Sequence, residues 1–140
     1  KIGFAGLRLG LLIGDQETIA QLNKLRLPYN INALTQTSAN FLLQDKQRII
    51  NNAQIIIEER RRLTHELSLF SKFKVYPSQT NFILVHSKDA HSLHTALKEN
   101  GILIKGFPKG SKLSDFIRIS VSEPVENNIL IDAIRNYYGS

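Results

Sequence analysis

The chain has 140 residues, 42% hydrophobic and 21% charged, which is ordinary globular make-up and enough for one compact core. It has no cysteine, which excludes a disulfide framework and a thiolate metal site, and no apolar run approaches the ~20 residues of a membrane-spanning helix. A surplus of 18 Lys+Arg over 12 Asp+Glu, net +6, fits either a nucleic-acid footprint or a positive field around a site for small anions.

The first fourteen residues carry Gly3, Gly6, Gly10 and Gly14. The apolar run between Arg8 and Ile13 reads as a buried strand. Asp15 then offers an N-cap to a helix with Ile19, Leu22 and Leu25 at helical spacing, and Leu27-Pro28-Tyr29-Asn30 ends it. From about Asn32 to Phe70 there is no proline or glycine, and Ile49, Ala53, Ile56, Arg60, Leu63, Leu67 and Phe70 step by three and four. This predicts one long helix, or two joined at a bend, with an apolar stripe interrupted by Arg60. The dense basic run Arg60-Arg61-Arg62 follows Glu58-Glu59 within ion-pairing reach, so it argues for a solvated helix face rather than nucleic-acid binding.

Beyond Pro77 the pattern changes to strand and helix in alternation. Phe82-Ile83-Leu84-Val85 reads as a buried strand, Ala90 to Glu99 as a helix closed by Gly101, and Ile102-Leu103-Ile104 as a second strand. Phe116 to Val121 alternates in part and reads as a third, and Pro124 fits the first turn of a last helix. The expected fold class is α/β, with helices packed on a small sheet. Lys1-Ile2-Gly3-Phe4-Ala5-Gly6 has no signal-peptide layout, which makes the cytoplasm the simplest compartment. His65, His86, His91 and His94 are scattered and no acidic or cysteine cluster completes a metal site, so no metal is expected.

Local chemistry gathers first at Lys1 to Gly10. Glycines let backbone approach a ligand, Arg8 offers a guanidinium fork for a phosphate, and a desolvated lysine can form an imine with a carbonyl cofactor. Solvent-exposed basic residues explain the same pattern, and the Walker order is absent.

Four motifs in order sharpen the choice. Lys1-Ile2-Gly3-Phe4-Ala5-Gly6-Leu7-Arg8-Leu9-Gly10 resembles the segment after the active-site serine in fold-type I pyridoxal-phosphate (PLP) aminotransferases, and is most similar to that of the histidinol-phosphate aminotransferase family. Leu27-Pro28-Tyr29-Asn30-Ile31-Asn32 through Gln36 is similar to the family's run into its interdomain helix. Tyr76-Pro77-Ser78-Gln79-Thr80-Asn81-Phe82 resembles a strand entry, and Phe116-Ile117-Arg118-Ile119-Ser120-Val121 with Glu123 to Asn127 resembles the strand and helix start that follow.

The resemblance implies a C-terminal portion that begins at the PLP lysine. Residues 1–30 would end the large PLP-binding domain, 31–72 would form the interdomain helix or helix pair, and 73–140 the small C-terminal α/β domain. It implies Lys1 as catalytic residue and Schiff-base partner of PLP, Arg8 as the cofactor's phosphate ligand, and Arg118 with Lys105 as ligands of an acidic substrate group. Many relatives carry arginine at the position of Lys105; a lysine keeps the charge and loses the fork. Arg118 between two apolar residues also fits a charge that merely faces solvent, Lys105 a solvated strand end, Asn81 a backbone-satisfying role, and Tyr29 either a site wall or packing.

The implied reaction moves an amino group between histidinol phosphate and glutamate/2-oxoglutarate in L-histidine biosynthesis, in a homodimer with neither nucleic-acid nor membrane partners. Two alternatives stay open: a threonine-phosphate decarboxylase-like PLP enzyme, and a non-catalytic small α/β binding module. The carboxylate that pairs with the cofactor's ring nitrogen precedes the lysine in the family, so the isolated 140 residues are expected neither to transaminate nor to hold PLP. A cofactor absorbance band on the purified chain that Lys1→Ala abolishes would overturn this.

Overall fold

The computed structural model describes residues 4–139, so the expectations placed on Lys1 lie outside the described residues. The chain divides into two compact units, Lys1–Ala53 and Gln54–Ser140.

In the first unit a 3-10 turn, Phe4–Leu7, precedes α1 (Gln16–Lys24) and α2 (Ala33–Gln44). Both helices start where a short polar side chain satisfies a free amide. Asp15 accepts from the Thr18 N–H at 2.9 Å, and Asn32 accepts from the Thr35 N–H at 2.8 Å. The Thr35 hydroxyl donates to the Leu7 carbonyl at 3.1 Å and ties α2 to the turn. The long helical signal resolves into α2 and α3 (Lys46–Ser68), bent at Asp45. Asp45 leaves helical geometry at ψ 71° and its carboxylate accepts from the Arg48 N–H at 3.0 Å, so one residue both stops a helix and starts the next.

One expectation fails in this unit. Leu9 to Ile13 form no strand, and Leu11, Leu12 and Ile13 are 66%, 70% and 92% exposed. An apolar run fixes only a preference for burial. A strand also needs a neighbour to pair its amides and carbonyls, and the described residues supply none here.

The second unit is a four-stranded antiparallel sheet of order β1-β2-β4-β3, with β1 at Lys74–Val75, β2 at Phe82–His86, β3 at Lys105–Gly106 and β4 at Phe116–Ser120. Two helices from this part of the chain, α4 (Ala90–Glu99) and α5 (Pro124–Tyr138), join the C-terminal half of α3 in its core. Ile83, Val85, Ile117 and Ile119 point from the central strands into that core, where Leu63 and Leu67 of α3, Leu93 and Leu97 of α4, and Ile131 and Ile134 of α5 are all buried. Each such side chain contributes on the order of 2 kcal/mol of burial. Phe70, Phe73 and Tyr138 close one end, with ring centroids 5.3 to 6.1 Å apart.

The second strand expected from sequence lies later than Ile102-Leu103-Ile104. Gly101 takes a left-handed φ of 78°, its N–H bonds the Lys98 carbonyl at 3.0 Å, and the Ile102 N–H bonds the Leu97 carbonyl at 2.8 Å. This double bond pattern holds Ile102 to the end of α4. The chain reaches the sheet only at Lys105 and Gly106, opposite Arg118 and Ile117. The left-handed turn makes a testable demand. Gly101→Ala, which forces a β-carbon into that region, should destabilise the fold by about 1 kcal/mol, seen as a lower unfolding midpoint, and Gly101→Asn by less.

Candidate substrate-anion site on the open sheet face

Strand alternation sends Ile117 and Ile119 of β4 into the core and leaves Phe116, Arg118 and Ser120 on the other face. The pairing sets the neighbours of each. Arg118 stands opposite Leu84 on β2 and Lys105 on β3, Ser120 opposite Phe82, and Phe116 opposite His86. The Arg118 guanidinium lies 5.2 Å from the centroid of the Phe82 ring. The structure thus brings together two of the sequence-predicted residues, Arg118 and Lys105, as directly opposed cations. Neither forms an ion pair among the described residues. Two like charges across a ladder repel, and a bound anion would relieve that cost.

Arg8 belongs to the first unit. It follows the 3-10 turn in a left-handed conformation, φ 56°, and is exposed and without an acidic partner among the described residues. Gly6 and Gly10 flank it, each with open space where a β-carbon would stand. A free guanidinium between open glycines suits a phosphate. Tyr29 packs on nothing: it is 98% exposed, with φ 59°. Asn81 acts through its backbone, its carbonyl accepting from the Val121 N–H at 2.8 Å.

The residues that sequence reasoning did not single out are Phe82 as the platform under Arg118 and a buried polar cluster behind the sheet. Glu59 on α3, 8% exposed, receives two bonds from Arg62 at 2.8 and 2.7 Å and one from the Asn127 amide at 2.7 Å. The same amide donates to the Ser122 carbonyl at 2.9 Å, and its oxygen accepts from the Ser122 N–H at 3.1 Å. Asn127 therefore uses every polar atom it has. The available signals were the pairing of Glu59 with Arg62 on one helix face and an asparagine at helical spacing with Leu130, Ile131 and Ile134 on the apolar face of α5. Among the described residues no group of three or more histidines, cysteines or acids stands ready for a metal, and no helix is long and apolar enough to cross a membrane.

A family model, aminotransferase class I and II, matches residues 1–134. The chain belongs to that family. It is 50% identical over 138 residues to the histidinol-phosphate aminotransferase of Vesicomyosocius okutanii, covering 99% of this chain and 39% of that protein. The solved histidinol-phosphate aminotransferase of Clostridium acetobutylicum superposes with a TM-score of 0.81 at 23% identity, over 98% of this chain and 42% of its own. That of Sinorhizobium meliloti, solved in complex with pyridoxal-5'-phosphate, gives 0.71 at 24% identity, over 96% of this chain and 39% of its own. The chain thus spans about two-fifths of the length of these relatives, and it has the fold of the corresponding part of an aminotransferase.

The Arg62 bonds, with help from Asn127, hold the Glu59 carboxyl below the ordinary carboxylate range despite its burial. A depressed folded-state pKa contributes stability that is present above the unfolded value of about 4.3 and is lost as pH falls through the folded one. Glu59→Gln should therefore lower stability at neutral pH and lose less than the parent between pH 5 and pH 3 in a thermal-unfolding series.

Proposed function

We propose that the gene product carrying this aminotransferase chain transfers an amino group between histidinol phosphate and 2-oxoglutarate/glutamate, with PLP as cofactor, in L-histidine biosynthesis. The reading is carried by the opposed cations Lys105 and Arg118, held on an exposed face with no acid paired to them among the described residues. The names of its similar proteins, and the PLP found in one of them, point the same way.

On this reading residues 1–30 end the large cofactor-binding domain, 31–72 form the interdomain helix pair and 73–140 the small domain. Lys1 carries the cofactor at its Nζ and moves the proton at the substrate's α-carbon; Arg8 holds the cofactor phosphate. PLP supplies the electron sink that stabilises charge left at that carbon. Arg118 takes the acidic group common to both substrates' recognition, phosphate in one and carboxylate in the other, through its two-pronged fork. Phe82 supports the guanidinium from its ring face, and Lys105 adds a second charge without directional demand. The protein works as a homodimer in the cytoplasm.

The test is a coupled assay of the gene product with histidinol phosphate and 2-oxoglutarate. Activity is expected, and Arg118→Ala should cut kcat/KM by about a hundredfold, the usual scale for removing one partner of a charged contact. Lys105→Ala should cost about tenfold, and Lys105→Arg should restore it. Release of carbon dioxide from threonine phosphate with no use of 2-oxoglutarate, or an unchanged KM in Arg118→Ala, would overturn the assignment.

A further inference from the structure

The long helix α3 makes two polar grips on the sheet within one turn, and both fall at the Phe82–Ser120 end of the β2–β4 ladder, two rungs from Arg118. Arg60 Nη1 donates to the Thr80 carbonyl at 2.9 Å, just before β2 begins. Glu59, its rotamer fixed by Arg62, holds Asn127, which holds both backbone groups of Ser122, just after β4 ends. Between these two points the strands are locked together by the Val121 N–H on the Asn81 carbonyl at 2.8 Å and by the Phe82–Ser120 rung. Phe82 in turn supports the Arg118 guanidinium.

We infer that Glu59, Arg60 and Asn127 form a polar clamp that positions Arg118 for the substrate anion. The inference rests on the reading of Arg118 given above and adds residues that touch neither substrate nor cofactor. An apolar residue would serve the core as well at Arg60 and Asn127. Arg60 interrupts the apolar stripe of α3, one turn after Ile56 and just before the fully buried Leu63, where an aliphatic side chain would extend the core. Asn127 likewise sits almost fully buried among Leu130, Ile131 and Ile134 on the inward face of α5. Buried polar groups add little net stability over well-packed apolar ones, but they define geometry strictly, because each unmade bond is costly. What they define here is where the entry to β2 and the exit from β4 lie along α3. A guanidinium that must meet a phosphate or carboxylate with both prongs tolerates little displacement, and about 1 Å is enough to cost a large share of the contact.

The experiment uses the gene product that carries this chain, with steady-state kinetics, inhibition by inorganic phosphate and thermal unfolding for each variant. Arg60→Leu should unfold at the parent temperature or above. Its KM for histidinol phosphate and its inhibition constant for phosphate should both rise about fivefold, with kcat within about twofold, and Arg60→Lys should return them towards the parent. Asn127→Ser, which shortens the grip, should show the same split with a lower unfolding temperature. A folded Arg60→Leu with unchanged KM and phosphate inhibition would overturn the clamp, and so would a fall in kcat alone. Arg60→Leu decides the matter even if Asn127→Ser fails to fold. Parallel measurement of Arg118→Ala separates the two claims. If that variant raises KM while Arg60→Leu does not, the clamp is wrong and the anion site stands; if neither does, the anion site itself is wrong.

Discussion

Within the second unit the helices pack on one face of the four strands, and the placement of the charged residues follows from that. A strand alternates, so once Ile117 and Ile119 face the helices, Arg118 has to face the other way. A slip of one residue in the β2–β4 register would bury Arg118 and expose both isoleucines, at a cost of several kcal/mol in lost burial alone. The hydrophobic core thus acts as the ruler that sets the arginine's position. The same alternation on β2 puts Phe82 and Leu84 beside it and sends Ile83 and Val85 inward. Nothing about the position of Arg118 needs to be specified separately from the core, up to the precision of a rung.

Finer placement needs directional contacts, and α3 supplies them from the same surface that supplies apolar ones. Leu63 and Leu67 pack into the core, while Glu59 and Arg60, one turn before Leu63, and Arg62 beside it make hydrogen bonds. The division is economical in length: apolar burial is strong and undirected, whereas a carboxylate with three donors permits essentially one arrangement of its partners. Helix α5 shows the same pairing of roles, with Asn127 at its start and Leu130, Ile131 and Ile134 along the rest.

How far the sequence speaks depends on whether a feature is local. The helices are legible because their causes are local: Asp15 and Asn32 cap, Gly101 reverses the chain, Pro124 opens α5, and apolar residues recur at helical spacing. The bend at Asp45 was visible only as an option, since an aspartate inside a helical run becomes a breaker only when its carboxylate turns to cap the next helix. Strands are another matter, because they are properties of pairs. Leu11 to Ile13 have the composition of a strand and no partner, whereas Lys74–Val75 and Lys105–Gly106 are too short to show any alternation and exist because β2 and β4 lie beside them. Arg118 was legible as a solvent-facing charge and, through a motif, as an anion ligand; the structure places it on the exposed face, which both readings require. Glu59 and Asn127 are 68 positions apart, and no local pattern could have joined them.

The opposed Lys105 and Arg118 also say something about the balance between stability and use. Cross-strand partners stand about 5 Å apart at their β-carbons, so two cations there raise each other's energy, modestly in water and more as water is excluded. Replacing either by a neutral residue would relax the empty face. The cation–π contact of Arg118 with Phe82 recovers part of the cost, on the order of 0.5–1 kcal/mol at an exposed ring, without using a hydrogen-bond donor of the guanidinium. An arginine neutralised by a nearby carboxylate would have been more stable and less available. With both cations left without an acid among the described residues, the face stays electrostatically unsatisfied, and any anion that bound there would gain the repulsion removed as well as its own attraction.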